Sequence, residues 1–181
     1  TSEIKTKKFF QYLNKKINKN DQIDLINCAG IAVFDSYKNR SKKDFMQVLD
    51  VNMYGTFNMI NNLSKISFKK STNTSIVNTS SIFGIKSPDY RNYIDLDRNS
   101  SEVYGGSKAG VIQMTKYFSV HLSQFNIRVN CISPGGIENK TNPQGPKFQK
   151  KYNNKVPLGR MGKNEDLLWA YDYFIDSKKS P

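Results

Sequence analysis

One histidine, His121, and two cysteines, Cys28 and Cys131, are all that the 181 residues offer of the softer metal ligands. No metal site is expected from so few, nor a Ser-His-Asp hydrolase. Each cysteine closes an apolar run, so both are expected as small, unbridged core residues, in keeping with a reducing cytoplasm. No apolar run approaches the roughly 20 residues that span a bilayer, so no membrane partner is expected. The chain opens on Thr1-Ser2-Glu3-Ile4 with nothing that reads as a signal peptide, which points to a cytoplasmic location. Absent too is any Gly-x-Gly-x-x-Gly or Thr-Gly-x-x-x-Gly-x-Gly turn of the kind that cradles phosphate groups. Negative charge is scarce, with 15 acidic against 28 basic residues and a net charge of +13. The lysines are dispersed, as at Lys7, Lys16, Lys43 and Lys151, and no nucleic-acid module accompanies them. They are read as a solvated surface, with no nucleic-acid partner.

What remains is enough for one domain. Ile4, Phe10, Leu13 and Ile17 recur at near-helical spacing and predict an amphipathic helix over residues 3–18. Residues 23–28 follow as a short strand, apolar enough to be buried on both faces of a parallel sheet. It ends at Ala29-Gly30, where small side chains let a backbone or ligand come close. A second helix begins at Ser41, with Ser41 and Asp44 in capping-box-like positions and an apolar face from Phe45 through Val48, Phe57 and Ile60 to Leu63. Asn52 falls in its middle, where asparagine is a poor helix former. Residues 75–80 form a second strand with Ser81 at its end, and residues 126–132 a third, turned sharply by Ser133-Pro134-Gly135-Gly136-Ile137. A helix with Val111, Met114, Phe118 and Leu122 on one stripe lies between them. A final helix, capped at Asn164, is expected to bury Leu167, Leu168, Tyr171, Phe174 and Ile175. Alternating strands and helices of this kind give an α/β fold with a doubly wound parallel sheet, here with three strands.

Between Ser81 and Lys108 the sequence becomes chemically specific. Tyr104 and Lys108 stand four positions apart, so on a helix both side chains leave from one face. A phenol ordinarily titrates near about 10, and a nearby ammonium is expected to lower that value toward neutrality. Ser81 could then hold a substrate carbonyl oxygen while Tyr104 gives or takes a proton. Tyr12 and Lys16 share the spacing inside a lysine-rich segment, where two solvated side chains are expected. Tyr90 and Tyr93 are poor rivals to Tyr104, because Ile94 and Asp97 stand where the lysine would be.

The company Tyr104 keeps sets it apart. Asn27-Cys28-Ala29-Gly30, Asn52 in Val51-Asn52-Met53-Tyr54-Gly55, Ser80-Ser81-Ile82-Phe83-Gly84, Tyr104-Gly105-Gly106-Ser107-Lys108 and Asn130-Cys131-Ile132-Ser133-Pro134-Gly135-Gly136 occur in that order. The set resembles the short-chain dehydrogenase/reductase family over nearly the whole chain. The resemblance implies a Rossmann-like sheet and an enzyme that moves a hydride between NAD or NADP and a carbonyl or secondary alcohol. It assigns Tyr104 as general acid/base, Lys108 to the nicotinamide ribose, Ser81 to the substrate oxygen and Asn52 to a proton relay where helix bonding is interrupted. Asn27, Ala29 and Gly30 would line the adenosine side of the cofactor; Pro134, Gly135 and Ile137 would meet the carboxamide. Members often form homodimers or homotetramers through the helices that carry Asn52 and Tyr104.

Two departures stand out. Residues 82–103 form a longer connection than the family commonly has, read as a surface excursion or a substrate-selecting lid. Pro88, Asp89, Tyr90, Arg91, Tyr93, Asp95, Asp97 and Arg98 give it a content suited to a polar, sugar-like or acidic substrate. Residues 137–157 resemble the substrate loop. The missing phosphate-cradling turn implies that residues 1–181 are the central and C-terminal part of a dehydrogenase domain, and a catalytically inactive fragment or binding scaffold is the alternative.

Overall fold

A parallel three-stranded sheet carries the chain. The computed structural model describes residues 2–94, 98–139 and 143–176; Asp95 and Asp97 of the long connection lie outside them. The strands are β1 (Gln22–Asn27), β2 (Asn73–Thr79) and β3 (Ile127–Ile132), ordered β1-β2-β3. The register pairs Asn27 with Asn78 and Asn78 with Cys131. The helices are α1 (Glu3–Lys16), α2 (Lys42–Leu49), α3 (Gly55–Lys70), α4 (Glu102–Leu122), α5 (Pro146–Asn153) and α6 (Glu165–Ile175).

β2 is central because its neighbours use both of its edges, and its five middle residues are buried. Alternate side chains divide between the two faces of the sheet. Ile76 points into a core with Phe10 and Ile17 from the α1 side, Ile60, Leu63 and Ile66 of α3, Leu122 of α4, and Ile127 and Val129 of β3. Losing a residue such as Ile76 to alanine would cost about 2–5 kcal/mol. The opposite face is thinner. There Ser75 Oγ donates to the carbonyl of Phe174 at 2.7 Å, and Arg128 Nη1 to the same oxygen at 3.0 Å. Gln22 Nε2 reaches the Ile175 carbonyl at 3.3 Å. Side chains from all three strands thus cap the carbonyls at the end of α6, which have no partner within the helix.

That asymmetry corrects three expectations. β1 is an edge strand whose residues alternate between exposed and half-buried, with Ile26 exposed, so it is not buried on both faces. Cys28 is exposed and Cys131 half-buried, so neither is a core residue. No residue of α6 is fully buried; Leu168 and Trp169 are exposed, and Asn164 makes no side-chain capping bond. Asp166 instead accepts from the Lys163 amide at 2.8 Å. Among the described residues, no helix is long and apolar enough to cross a membrane.

Candidate active site

The site grows from the C-terminal end of β2. Thr79 and Ser80 make the last bonds of β2 to β3 and Ser81 follows them, and the first two grip the same lysine of α4. The Lys108 ammonium donates to the Thr79 carbonyl at 2.8 Å, while Ser80 Oγ donates to the Lys108 carbonyl at 2.7 Å. Ser80 is therefore a brace, and Ser81 is the free-standing hydroxyl. It accepts from the Phe83 amide at 3.1 Å at the start of the 3-10 turn Ile82–Gly84. That turn lies hard against α4: a Cβ on Gly84 would sit 2.8 Å from the backbone carbonyl carbon of Lys108, so only glycine fits.

Ser101 caps α4 by accepting from the Tyr104 amide at 3.3 Å, which fixes the first turn and its tyrosine. Ser81 stands beside the Tyr104 phenol, near enough to favour its ionised form. The Lys108 ammonium lies 5.7 Å from the centroid of the Tyr104 ring. The spacing in sequence thus brings Ser81, Tyr104 and Lys108 together. Their electrostatics differ from expectation. Burial pushes the Tyr104 phenol above its ordinary value, and the nearby Ser81 hydroxyl opposes the shift without reversing it. Lys108, only 4% exposed, is itself held below the usual lysine range by burial. Its ammonium is directed at the Thr79 carbonyl, so the lowering expected of Tyr104 is not present in this structure.

Asn52 occupies the π-helical turn Asp50–Tyr54 that separates α2 from α3, so regular helix bonding is interrupted there. Its side chain is 1% exposed and fully used. Oδ1 accepts from the Ile31 amide at 2.8 Å, and Nδ2 donates to the Ile31 carbonyl at 3.0 Å and to Ser107 Oγ at 2.9 Å. Asn52 therefore clamps the segment after β1 against the helix that bears Tyr104. Gly30 closes the group: a Cβ there would lie 3.3 Å from the Lys108 nitrogen and 3.4 Å from Asn52 Oδ1.

The residues assigned to a dinucleotide divide into three. Ala29 and Gly30 are exposed beyond the end of β1, open to a ligand. Asn27 donates through Nδ2 to Asn78 Oδ1 at 2.9 Å, and Asn78 in turn to Thr115 Oγ1 at 2.9 Å, so its amide ties β1 through β2 to α4. At the other flank the Pro134 carbonyl accepts from the Ile82 amide at 2.8 Å, which joins the Ser133–Ile137 turn to the one after Ser81. Gly136 and Glu138 both bond Gly162, so the alternation of a β-bridge turns the backbone of Ile137 the other way. The open backbone at Ala29 and Gly30 is what the expected adenosine side would need, and the Ser133–Ile137 turn is what the expected carboxamide contact would need. The turn for its pyrophosphate is not in this sequence.

Three contributors went unnoticed in the sequence. Ser107, buried on α4, accepts from Asn52 and donates to the Tyr104 carbonyl at 2.8 Å. Its place three residues after Tyr104 was the available signal. Thr79 acts through its backbone, which no side-chain pattern reports. Residues 137–157 also contain α5, on which Tyr152 reaches the Gly136 amide. Phe148 and Tyr152, four residues apart on an otherwise polar segment, were the sign of that helix. The described residues also line a cleft of about 780 Å³ against Gly105, Gly106 and Ala109 of α4, with Phe83, Tyr90 and Tyr93 opposite. None of Ser81, Tyr104 and Lys108 lines it, and it lies on a different flank of the helix. No group of three or more His, Cys, Asp or Glu that could hold a metal occurs among the described residues.

Residues 1–180 match the family described as Enoyl-(Acyl carrier protein) reductase. The chain is 36% identical over 173 residues to the 3-oxoacyl-(acyl-carrier-protein) reductase FabG of Thermotoga maritima, covering 94% of this chain and 65% of that one. Among solved structures, a short chain dehydrogenase from Leptospira borgpetersenii with bound NAD+ superposes with a TM-score of 0.89 at 37% identity, over 98% of this chain and 66% of that one. A 4-hydroxyisoleucine dehydrogenase complexed with NADH gives a TM-score of 0.80 at 25% identity, over 98% of this chain and 70% of that one. The chain thus spans about two thirds of the length of these relatives.

Proposed function

Because this chain belongs to the short-chain dehydrogenase/reductase family, we propose that the protein is an NAD- or NADP-dependent oxidoreductase acting on a carbonyl or secondary alcohol substrate. The observation that carries this reading is the gathering of Ser81, Tyr104 and Lys108 at the end of β2, where α/β sheets bind ligands. Bound nicotinamide would supply or accept the hydride. Tyr104 would protonate the carbonyl oxygen in reduction and take the proton back in oxidation. Ser81 would donate a hydrogen bond to that oxygen as charge develops on it. Lys108 would exchange its bond with the Thr79 carbonyl for the ribose hydroxyls, bringing positive charge to bear on a phenol that burial makes harder to ionise. Asn52 would hold the relay through Ile31 and Ser107, with Ala29, Gly30, Pro134, Gly135 and Ile137 at the cofactor and Asn27 bracing the sheet beneath it.

Residues 82–103 and 137–157 would form the substrate end, and the location is read as cytoplasmic. Among the described charges of the long connection, Asp89 pairs with Arg91 at 2.8 Å and with Lys155 of residues 137–157 at 2.5 Å. Exposed Tyr90 and half-buried Tyr93 therefore carry the reading of a polar, sugar-like substrate. Exposed Phe57, Tyr117 and Val120 on α3 and α4 support a homodimer or homotetramer. The first test is titration of the full-length protein with NADH and NADPH, followed by nicotinamide fluorescence. Saturable binding and turnover of a carbonyl panel of sugar ketones and 3-oxoacyl thioesters are expected. Absence of binding to either cofactor would return the chain to the scaffold alternative.

A further inference from the structure

The turn Ser133–Ile137 is shaped from outside itself. Its Gly136 amide donates at 2.6 Å to the hydroxyl of Tyr152, a residue of α5 far along the chain from the Tyr104 group. The two glycines of the turn have no room for anything larger on that side. A Cβ on Gly136 would lie 2.8 Å from Tyr152 Cζ, and one on Gly135 would lie 3.2 Å from the hydroxyl oxygen. The Tyr152 ring is anchored in turn. It stacks on Phe148 with centroids 5.7 Å apart, and Phe148, buried, meets Tyr93 of the long connection at 5.4 Å. Lys151 donates to the Ile94 carbonyl at 2.7 Å and Lys155 pairs with Asp89, so α5 is tied to residues 89–94 at several points.

We propose that Tyr152 is a positioning residue for the cofactor: it sets the Ser133–Ile137 turn from α5 and so couples the nicotinamide end of the site to the substrate end. The inference rests on the function proposed above, since the turn matters to a dinucleotide only if one binds there. A donor at Gly136 that is satisfied within the protein leaves the neighbouring backbone of Gly135 and Ile137 as the part offered to a ligand. The Tyr152 hydroxyl holds that division in place before any ligand arrives, so the ordering of the turn is not charged against cofactor affinity. Packing of Tyr93 on Phe148 would carry any movement of the long connection to the same turn.

Tyr152→Phe keeps the ring and removes only the bond, and Gly136→Ala displaces the ring while keeping the hydroxyl. In the full-length protein without ligand, Tyr152→Phe should speed hydrogen exchange in the segment containing Gly136. It should also weaken NADH or NADPH binding by about fivefold, the worth of one neutral hydrogen bond. Turnover at saturating cofactor should stay within about twofold, so that KM for cofactor moves and kcat does not. Gly136→Ala should weaken cofactor binding at least as much. Unchanged exchange in Tyr152→Phe, or faster exchange with unchanged cofactor affinity, would overturn the proposal even if Tyr104→Phe abolishes turnover. Turnover that survives Tyr104→Phe would instead overturn the reading on which it rests.

Discussion

Two tyrosines in this molecule stand one helical turn ahead of a lysine, and locally they are alike. The Lys16 nitrogen lies 5.8 Å from the Tyr12 ring on α1, and the Lys108 nitrogen 5.7 Å from the Tyr104 ring on α4. Helix geometry delivers the pair in both places. Tyr12 is 60% exposed and Lys16 is exposed as well, so water screens whatever the two groups could do to each other. At the second pair the end of β2 closes in. Thr79 and Ser80 hold both ends of Lys108, Ser81 meets the phenol, and Ser107 links the helix to the buried amide of Asn52. A four-residue spacing is therefore only the means of juxtaposition. Desolvation and the sheet end make one pair a candidate site and leave the other a surface ornament of α1.

The sharpest break between the pairs is functional. Tyr104→Phe in the full-length enzyme should lower kcat by about 10²–10⁴, the range for losing a general acid/base, with cofactor affinity retained. Tyr12→Phe should leave kcat unchanged in the same assay. Equal losses at the two positions, or none at Tyr104, would remove the distinction. Lys108→Met should come next. Its activity should fall and cofactor binding weaken, yet its stability should hold or rise, because an apolar side chain of similar length replaces a desolvated cation. Lys16→Met should change stability by no more than about 0.5 kcal/mol in either direction, as for most exposed sites. Urea melts together with cofactor titrations separate these outcomes. A Lys108→Met protein that fails to fold would show that the lysine is chiefly structural.

A milder change acts at the space between Lys108 and Asn52. Gly30→Ala would bring a methyl group to 3.3 Å from the ammonium and 3.4 Å from Asn52 Oδ1, close enough that one of them must shift by a few tenths of an ångström. Turnover should drop several-fold with stability altered by less than about 1.5 kcal/mol. A parallel fall in both would mean that the substitution disturbs packing and not the relay.

The sequence was readable where a pattern repeats or a residue type is restricted. Each strand is placed to within two residues, because apolar runs bounded by polar breaks carry that information, and the parallel order follows from the alternation with helices. The pairing of Ser81 with Tyr104 was also legible, since strand end and helix start each have a recognisable signature. Burial was harder to see. Cys28 and Leu168 look like core residues, but among the described residues β1 is paired on one edge and α6 alone covers the second face, so their surroundings and not their chemistry decide their exposure. The acidity of Tyr104 departs from its expected direction for a related reason. Spacing predicts that the ammonium is near, but not that a backbone carbonyl at Thr79 has already engaged it. The hold of Tyr152 on Gly136 joins two segments by a single hydroxyl, and a contact of that kind has no periodicity to betray it.

The smallest expected effect is also the one that tests the electrostatics directly. Lys108 titrates below its ordinary value in the folded protein, so in the interval between the folded and ordinary values the unfolded chain binds more protons. Stability therefore rises with pH across that interval, and the folded protein is least favoured by this group at lower pH, where the buried ammonium is charged. Tyr104 runs the other way. Its folded value lies above the ordinary one near about 10, so its contribution is complete below that pH and is lost as pH climbs through the folded value. Urea melts from about pH 7 to about pH 10 should show the wild-type protein gaining on Lys108→Met as pH rises. Above about 10 wild type and Lys108→Met should both begin to lose the Tyr104 contribution, a loss that a Tyr104→Phe protein does not show. A pH-independent difference between wild type and Lys108→Met would mean that the lysine is not desolvated as its burial implies. Adding saturating cofactor should then bring the Tyr104 titration down, because only a ligand that draws the ammonium off Thr79 can turn that charge toward the phenol.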